Sequence, residues 1–276
     1  MHTTLPSPDP LEDFQARDIT LREATKRVHV AGQGPAVVVM PEMPGITPYL
    51  ARFARWVRDA GFTVYMPSLF GVDGTMPGVE EGVAVFRRAC VSAEFRAFAA
   101  NEASPVTQWL RALARLAHAE CGGPGVGAIG MCFTGNFALS MMLEPAMLAP
   151  VLSQPSLPAG PLPSHRAGLH ASPEEIAAAH EKIEHDGARI LGLRFHRDPW
   201  CPRERFARLR EEFGDAFEGI EIDPQHARPG TGMPAHSVLT THLIDEEGQP
   251  TRAALDRTLA FFAERLAPAR AQPRPS

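Results

Sequence analysis

Residues 36–67 read AVVVMPEMPGITPYLARFARWVRDAGFTVYMP, and this stretch decides the fold. The run 36–40 is short, continuous and β-branched, the composition of a strand buried on both faces. A loop over 42–47 follows, and then a helix with clear punctuation. Thr47 can act as N-cap, Pro48 stands at the first helical position, and Gly61 lies just past the end. Leu50, Phe53 and Val57 recur at helical spacing and form its apolar stripe. The run 62–66, closed by Pro67, is a second strand. Strand, helix and strand within about thirty residues make a βαβ unit, which forces a parallel pairing.

The same alternation continues outward. On the amino-terminal side, 17–30 alternates well enough for an antiparallel hairpin. On the carboxy-terminal side, Ser104 and Pro105 repeat the cap-plus-proline signature, ahead of a helix whose face is Trp109, Leu110, Leu113 and Leu116. Strand 126–130 runs into Met131–Cys132–Phe133 and an apolar helix from about 135 to 143. Strand 148–152, a proline-rich loop, a helix with the capping box Ser172/Glu175, strand 189–195, helix 203–213, strand 217–222 and a helix near 255–266 complete the chain. Repeated strand–helix alternation predicts an α/β fold with a mostly parallel central sheet and helices on both faces. We expect one domain over 13–268, with a loose polar tail over 1–12 and another over 269–276.

Bulk composition narrows the function classes. The 276 residues carry a formal charge of −5, with 44% apolar and 21% charged residues, so neither nucleic acid nor an anionic membrane is an expected partner. No run of eighteen apolar residues predicts a membrane span. The first residues, MHTTLPSPDPLEDF, place acidic groups where a signal peptide would have an apolar core. Four cysteines (Cys90, Cys121, Cys132 and Cys201) form no CxxC pair, which points to reduced thiols in the cytoplasm and to neither a disulfide framework nor a zinc ribbon. His226, His236 and His242 lie close in sequence, but a turn-rich segment does not make them a ligand set, so no metal and no cofactor are expected.

Ligands of parallel sheets sit at the carboxyl ends of strands, and three post-strand loops carry reactive residues. In GAIGMCFTGN (127–136), Cys132 stands at a strand-to-helix turn, with Gly130-x-Cys132 mirroring the elbow G-x-S-x-G. The free N–H groups of the helix that follows favour a thiolate, the form that attacks carbonyls. The loop HRDPWCP (196–202) offers Asp198. The loop HARPGTGMPAHSVLT (226–240) offers His226 and His236. Cys132, Asp198 and His236 fall in the order nucleophile, acid, base that this architecture uses.

Four motifs in this order resemble the dienelactone hydrolases, which are α/β-hydrolases. VVVMPEMPGITPYLARFARWVRDAGFTVYMPSLFG (37–71) looks like their first βαβ unit, GAIGMCFTG like their G-x-C-x-G-G elbow, RFHRDPWCP like their D-x-x-x-P loop, and AHSVL like their His-Ser motif. The resemblance runs from about 35 to 265. It implies a hydrolase of small esters or lactones, working through an S-acyl intermediate on Cys132 with His236 and Asp198; whether the chain is a monomer or homodimer is left open by the sequence. It implies that Glu42 controls protonation of the thiol, that the N–H groups of Met43 and Phe133 form the oxyanion hole, and that Arg87 or Arg88, together with Ser237, binds substrate. Two departures stand out. Thr134 replaces a glycine of the elbow, and Thr240 occupies the position of a second substrate-binding arginine. Other readings of the chain are a catalytically silent scaffold that binds a ligand or partner, and a redox protein that pairs Cys132 with another cysteine.

Overall fold

The computed structural model describes residues 6–91, 104–158, 160 and 162–267. In chain order the elements are β1 (Gln15–Leu21), β2 (Ala24–Gly32), β3 (Ala36–Met40), α1 (Pro48–Asp59), β4 (Thr63–Pro67), α2 (Val79–Val91), α3 (Pro105–Cys121), β5 (Val126–Met131), α4 (Phe137–Ser140), β6 (Met147–Ser153), α5 (Pro163–Ala167), α6 (Pro173–Asp186), β7 (Ile190–Phe195), α7 (Arg203–Phe213), β8 (Phe217–Ile222) and α8 (Pro250–Leu266). The strands form one sheet in the order β1-β2-β4-β3-β5-β6-β7-β8. β1–β2 and β2–β4 pair antiparallel, and every later pairing is parallel.

β3 explains why the sheet is covered on both faces. All five of its residues are buried. Val38 and Met40 point into one core layer with Trp109 and Leu113 of α3. Val37 and Val39 point into the other, with Leu50 and Phe53 of α1 and Phe261 and Phe262 of α8. A strand alternates its side chains between faces, so an unbroken apolar run requires a helix layer on each side. The expected caps are present. Thr47 Oγ1 accepts from the Leu50 N–H at 3.3 Å, Ser104 Oγ from the Thr107 N–H at 3.3 Å, and Ser172 and Glu175 cap α6 reciprocally.

Three expectations need correction. Residues 6–12 are not a loose tail: Leu11 and Phe14 are buried against α1, and Asp9 and Asp13 both bind Arg55 of that helix. The tail expectation for 1–5 and 268–276 lies outside the described residues. The helix expected from 135 to 143 shrinks to α4, set between a 3-10 turn at Cys132–Thr134 and another at Met141–Leu143. Pro145 drives Glu144 into extended backbone (ψ 122°), so the helix cannot continue. α2 has no counterpart in the sequence reading; the residue before it is Gly78, which offers no side chain as a start signal. Among the described residues, no helix is long and apolar enough to cross a membrane.

Candidate active site

The loops that follow β3, β5, β6, β7 and β8 meet at one end of the sheet. The turn after β5 is the sharpest. Cys132 adopts φ +54°, a left-handed conformation that costs a non-glycine residue about 1 kcal/mol or more. The tight turn depends on its neighbours. A Cβ on Gly130 would lie 1.9 Å from the Thr134 carbonyl oxygen, and one on Gly135 would lie 2.4 Å from Pro155 Cα. The Cys132 carbonyl accepts from the N–H groups of Gly135 (3.0 Å) and Ser156 (2.9 Å), which binds the elbow to the loop after β6. Thr134 fits because its hydroxyl has work inside the turn. It accepts from the Met131 N–H at 2.9 Å and reaches the Pro41 carbonyl at 3.2 Å, linking the elbow to the end of β3.

The loop after β7 places Asp198. One carboxylate oxygen accepts from the N–H groups of Trp200 (2.9 Å) and Cys201 (3.2 Å). The other meets His236 Nδ1 at 2.7 Å, and both residues are buried. A carboxylate only accepts, so Nδ1 carries a proton and Nε2 is left for the Cys132 side. Burial alone would lower the His236 pKa. The negative charge of Cys132, the hydrogen bond to Asp198 and a hydrogen bond to Cys132 outweigh it and raise the value to about 10. Cys132, Asp198 and His236 are therefore brought together, whereas His226 lies apart in a 3-10 turn against Gln225. The Trp200 ring meets the His236 ring edge-on, with centroids 5.0 Å apart.

Glu42, after β3, is only 3% exposed. Ser237 Oγ donates to it at 2.7 Å, Gln154 Nε2 at 3.3 Å, and Thr240 Oγ1 also donates to it. Ser237, which the resemblance assigns to substrate binding, is buried with its hydroxyl turned to Glu42. Met43 and Phe133 follow adjacent strands in which Met40 lies opposite Gly130, so each stands three residues beyond a paired position. Arg87 and Arg88 are exposed on α2 and form no ion pair among the described residues.

Four contributors escaped the sequence reading. Gln154 joins Glu42 to the His236 segment, and Ser156 Oγ lies 3.4 Å from His236 Nε2. His242 Nδ1 accepts from the N–H groups of Ser237 (3.2 Å) and His236 (3.4 Å), and its Nε2 faces Thr231 Oγ1 at 2.9 Å. Burial, aided by the charges of His236 and Arg228, lowers the His242 pKa to about 4, so it serves as a neutral brace. Arg205 is fully buried and donates to the carbonyls of Pro155, Pro158, His165 and Gly168, pinning the loop that carries Ser156. Only the placement of Gln154 and Ser156 just past β6 hinted at such roles, while Arg205 lies within α7. Among the described residues, no group of three or more His, Cys, Asp or Glu side chains could hold a metal ion.

A model of the dienelactone hydrolase family matches residues 23–224. The match stops before His236, so its place beside Asp198 rests on the geometry. No curated protein matches the chain significantly. Among solved structures, a Klebsiella pneumoniae protein assigned to the dienelactone hydrolases is 16% identical with a TM-score of 0.61, covering 91% of this chain and 98% of that one. A dienelactone hydrolase-like promiscuous phosphotriesterase from metagenomic libraries is 16% identical with a TM-score of 0.60, covering 92% and 100%. An α/β-hydrolase from Penicillium is 14% identical with a TM-score of 0.59, covering 92% and 99%. At these identities the likeness speaks for the α/β-hydrolase fold.

Proposed function

The chain belongs to the dienelactone hydrolase family, and on that premise we propose that it hydrolyses a small carboxylic ester or lactone with the Cys132 thiol as nucleophile. One observation carries the reading: His236 Nδ1 is bonded to the buried Asp198 carboxylate at 2.7 Å while the same ring interacts with Cys132.

The chemistry follows from that arrangement. An imidazolium beside the sulfur favours the thiolate, which attacks the substrate carbonyl carbon. The carbonyl π electrons move to oxygen, where the backbone N–H groups of Met43 and Phe133 stabilise the oxyanion. The tetrahedral intermediate collapses, the C–O bond to the leaving group breaks, and the departing oxygen takes the proton from His236 Nε2. His236, now neutral, removes a proton from water. The resulting hydroxide attacks the thioester, the C–S bond breaks, and the acid leaves with the thiolate–imidazolium pair restored. Asp198 holds the ring in the required tautomer throughout.

The surroundings support an uncharged acyl or lactone group over a doubly charged one. Phe133, next to Cys132 in the elbow, packs edge-on against Phe70 with centroids 5.6 Å apart, and Thr240 stands where the resemblance would place an arginine. Cys121, Cys132 and Cys201 are free thiols, which suits the cytoplasm.

Turnover of 4-nitrophenyl acetate and of a cis-dienelactone by wild type and Cys132→Ala tests the proposal. Activity on either compound that the variant loses supports it. Equal activity in both proteins excludes Cys132 as the nucleophile, and inertness of both on a broad ester and lactone panel favours the silent scaffold.

A further inference from the structure

Gln154 stands just past the end of β6 with φ +34°, an unfavourable backbone conformation for a side chain of this size. It is completely buried. Strain of this kind persists only where the surroundings over-determine it, and every polar atom of the residue is engaged. Its backbone N–H donates to the Leu193 carbonyl at 2.6 Å, in the strand that leads to Asp198. Its backbone carbonyl accepts from Ser156 Oγ at 3.0 Å, the same hydroxyl that lies 3.4 Å from His236 Nε2. The side-chain carbonyl accepts from the Val238 N–H at 3.3 Å and from Ser153 Oγ. Two donors on that oxygen fix the amide orientation and aim the NH₂ group at Glu42, 3.3 Å away.

The carboxylate it meets is held by three neutral side chains. Two of them, Ser237 and Thr240, flank Val238 on the segment that begins with His236. Gln154 thus reaches that segment directly through Val238, indirectly through Glu42, and at the imidazole itself through Ser156. We propose that Gln154 is a positioning residue that sets the register of the His236 segment against Cys132, with Glu42 fixed in a cage of neutral donors as its relay. A carboxylate held this way ties together the loops after β3, β6 and β8. The inference rests on the proposed Cys132 chemistry for its kinetic consequence, while its geometric content stands apart from any substrate.

The test uses the full-length protein and the variants Gln154→Ala, Gln154→Glu, Glu42→Gln and the transposed pair Glu42→Gln/Gln154→Glu. Three quantities are read: kcat and KM for 4-nitrophenyl acetate, the pH profile of Cys132 alkylation by iodoacetamide, and the titration of His236 by NMR. Alkylation and titration require no turnover, so they remain informative if the ester is not a substrate; that result would count against the proposed function alone. For Gln154→Ala we expect kcat to fall about tenfold to a hundredfold with KM within about threefold, as misplacement of a reacting group predicts. The His236 titration should move down and the alkylation profile should shift with it. Gln154→Glu places two carboxylates together, so its alkylation defect should deepen as pH rises and both become charged. The transposed pair restores one carboxylate and one amide, and should recover most of the loss seen in either single variant even if both singles are poorly folded. The proposal is overturned if Gln154→Ala leaves the His236 titration and the alkylation profile unchanged, or if the transposed pair does no better than the worse single variant.

Discussion

Two buried carboxylates flank the same histidine segment and are satisfied in opposite ways. Asp198 is held by two backbone N–H groups and a titratable imidazole. Glu42 is held by two hydroxyls and a carboxamide, none of which changes charge. The first arrangement couples a carboxylate to a proton that can be transferred. The second fixes a charge in place. A buried carboxylate needs partners for its lone pairs, and the kind of partner decides whether it takes part in proton chemistry or in architecture.

That contrast can be broken most severely at Asp198. Asp198→Asn should keep the fold but favour the wrong imidazole tautomer, lowering kcat by about three to four orders of magnitude in steady-state assays. A variant that loses less than about tenfold would remove Asp198 from the catalytic set.

Glu42 should respond in stability more than in chemistry. Glu42→Ala leaves three buried donors without an acceptor and should cost about 3 kcal/mol or more by denaturant titration, since each unsatisfied group costs about 1–3 kcal/mol. If stability were unchanged, the cage would not be a structural strut.

The charge of His236 offers a finer probe. Its folded value is raised from 6.5 to about 10, so the stabilisation it contributes is complete below about pH 6.5 and fades as pH rises towards 10. Cys132→Ala deletes one cause of the rise, so the NMR titration should move down and that contribution should fade at lower pH. A titration that matches wild type would separate the sulfur from the imidazole. The smallest effect is expected from Thr240→Val, which removes one of three donors to Glu42 and should cost about 1 kcal/mol, with kcat altered by less than about threefold. A larger fall in kcat than in stability would move Thr240 to the substrate side.

What the sequence by itself determined was the set of local, short-range features. The unbroken apolar run of β3 and the proline-and-hydroxyl caps of α1, α3 and α6 were legible because each depends on residues a few positions apart, and the order Cys132, Asp198, His236 was legible because each stands in a loop after a strand, here β5, β7 and β8. The elbow was legible for the same reason, whereas the fit of Thr134 within it came from its hydrogen bonds in the folded turn. Tertiary structure alone decided the rest. Gln154 lies 112 residues from Glu42, and Thr240 lies 198 residues from it. No periodicity or spacing links them, because they meet only when the loops after β3, β6 and β8 are brought to one end of the sheet. Residues 6–12 likewise look polar and loose until Arg55 of α1 supplies a partner for Asp9 and the core accepts Leu11. Strands, caps and turns are specified by neighbours along the chain, whereas the satisfaction of a buried charge is specified by neighbours in space.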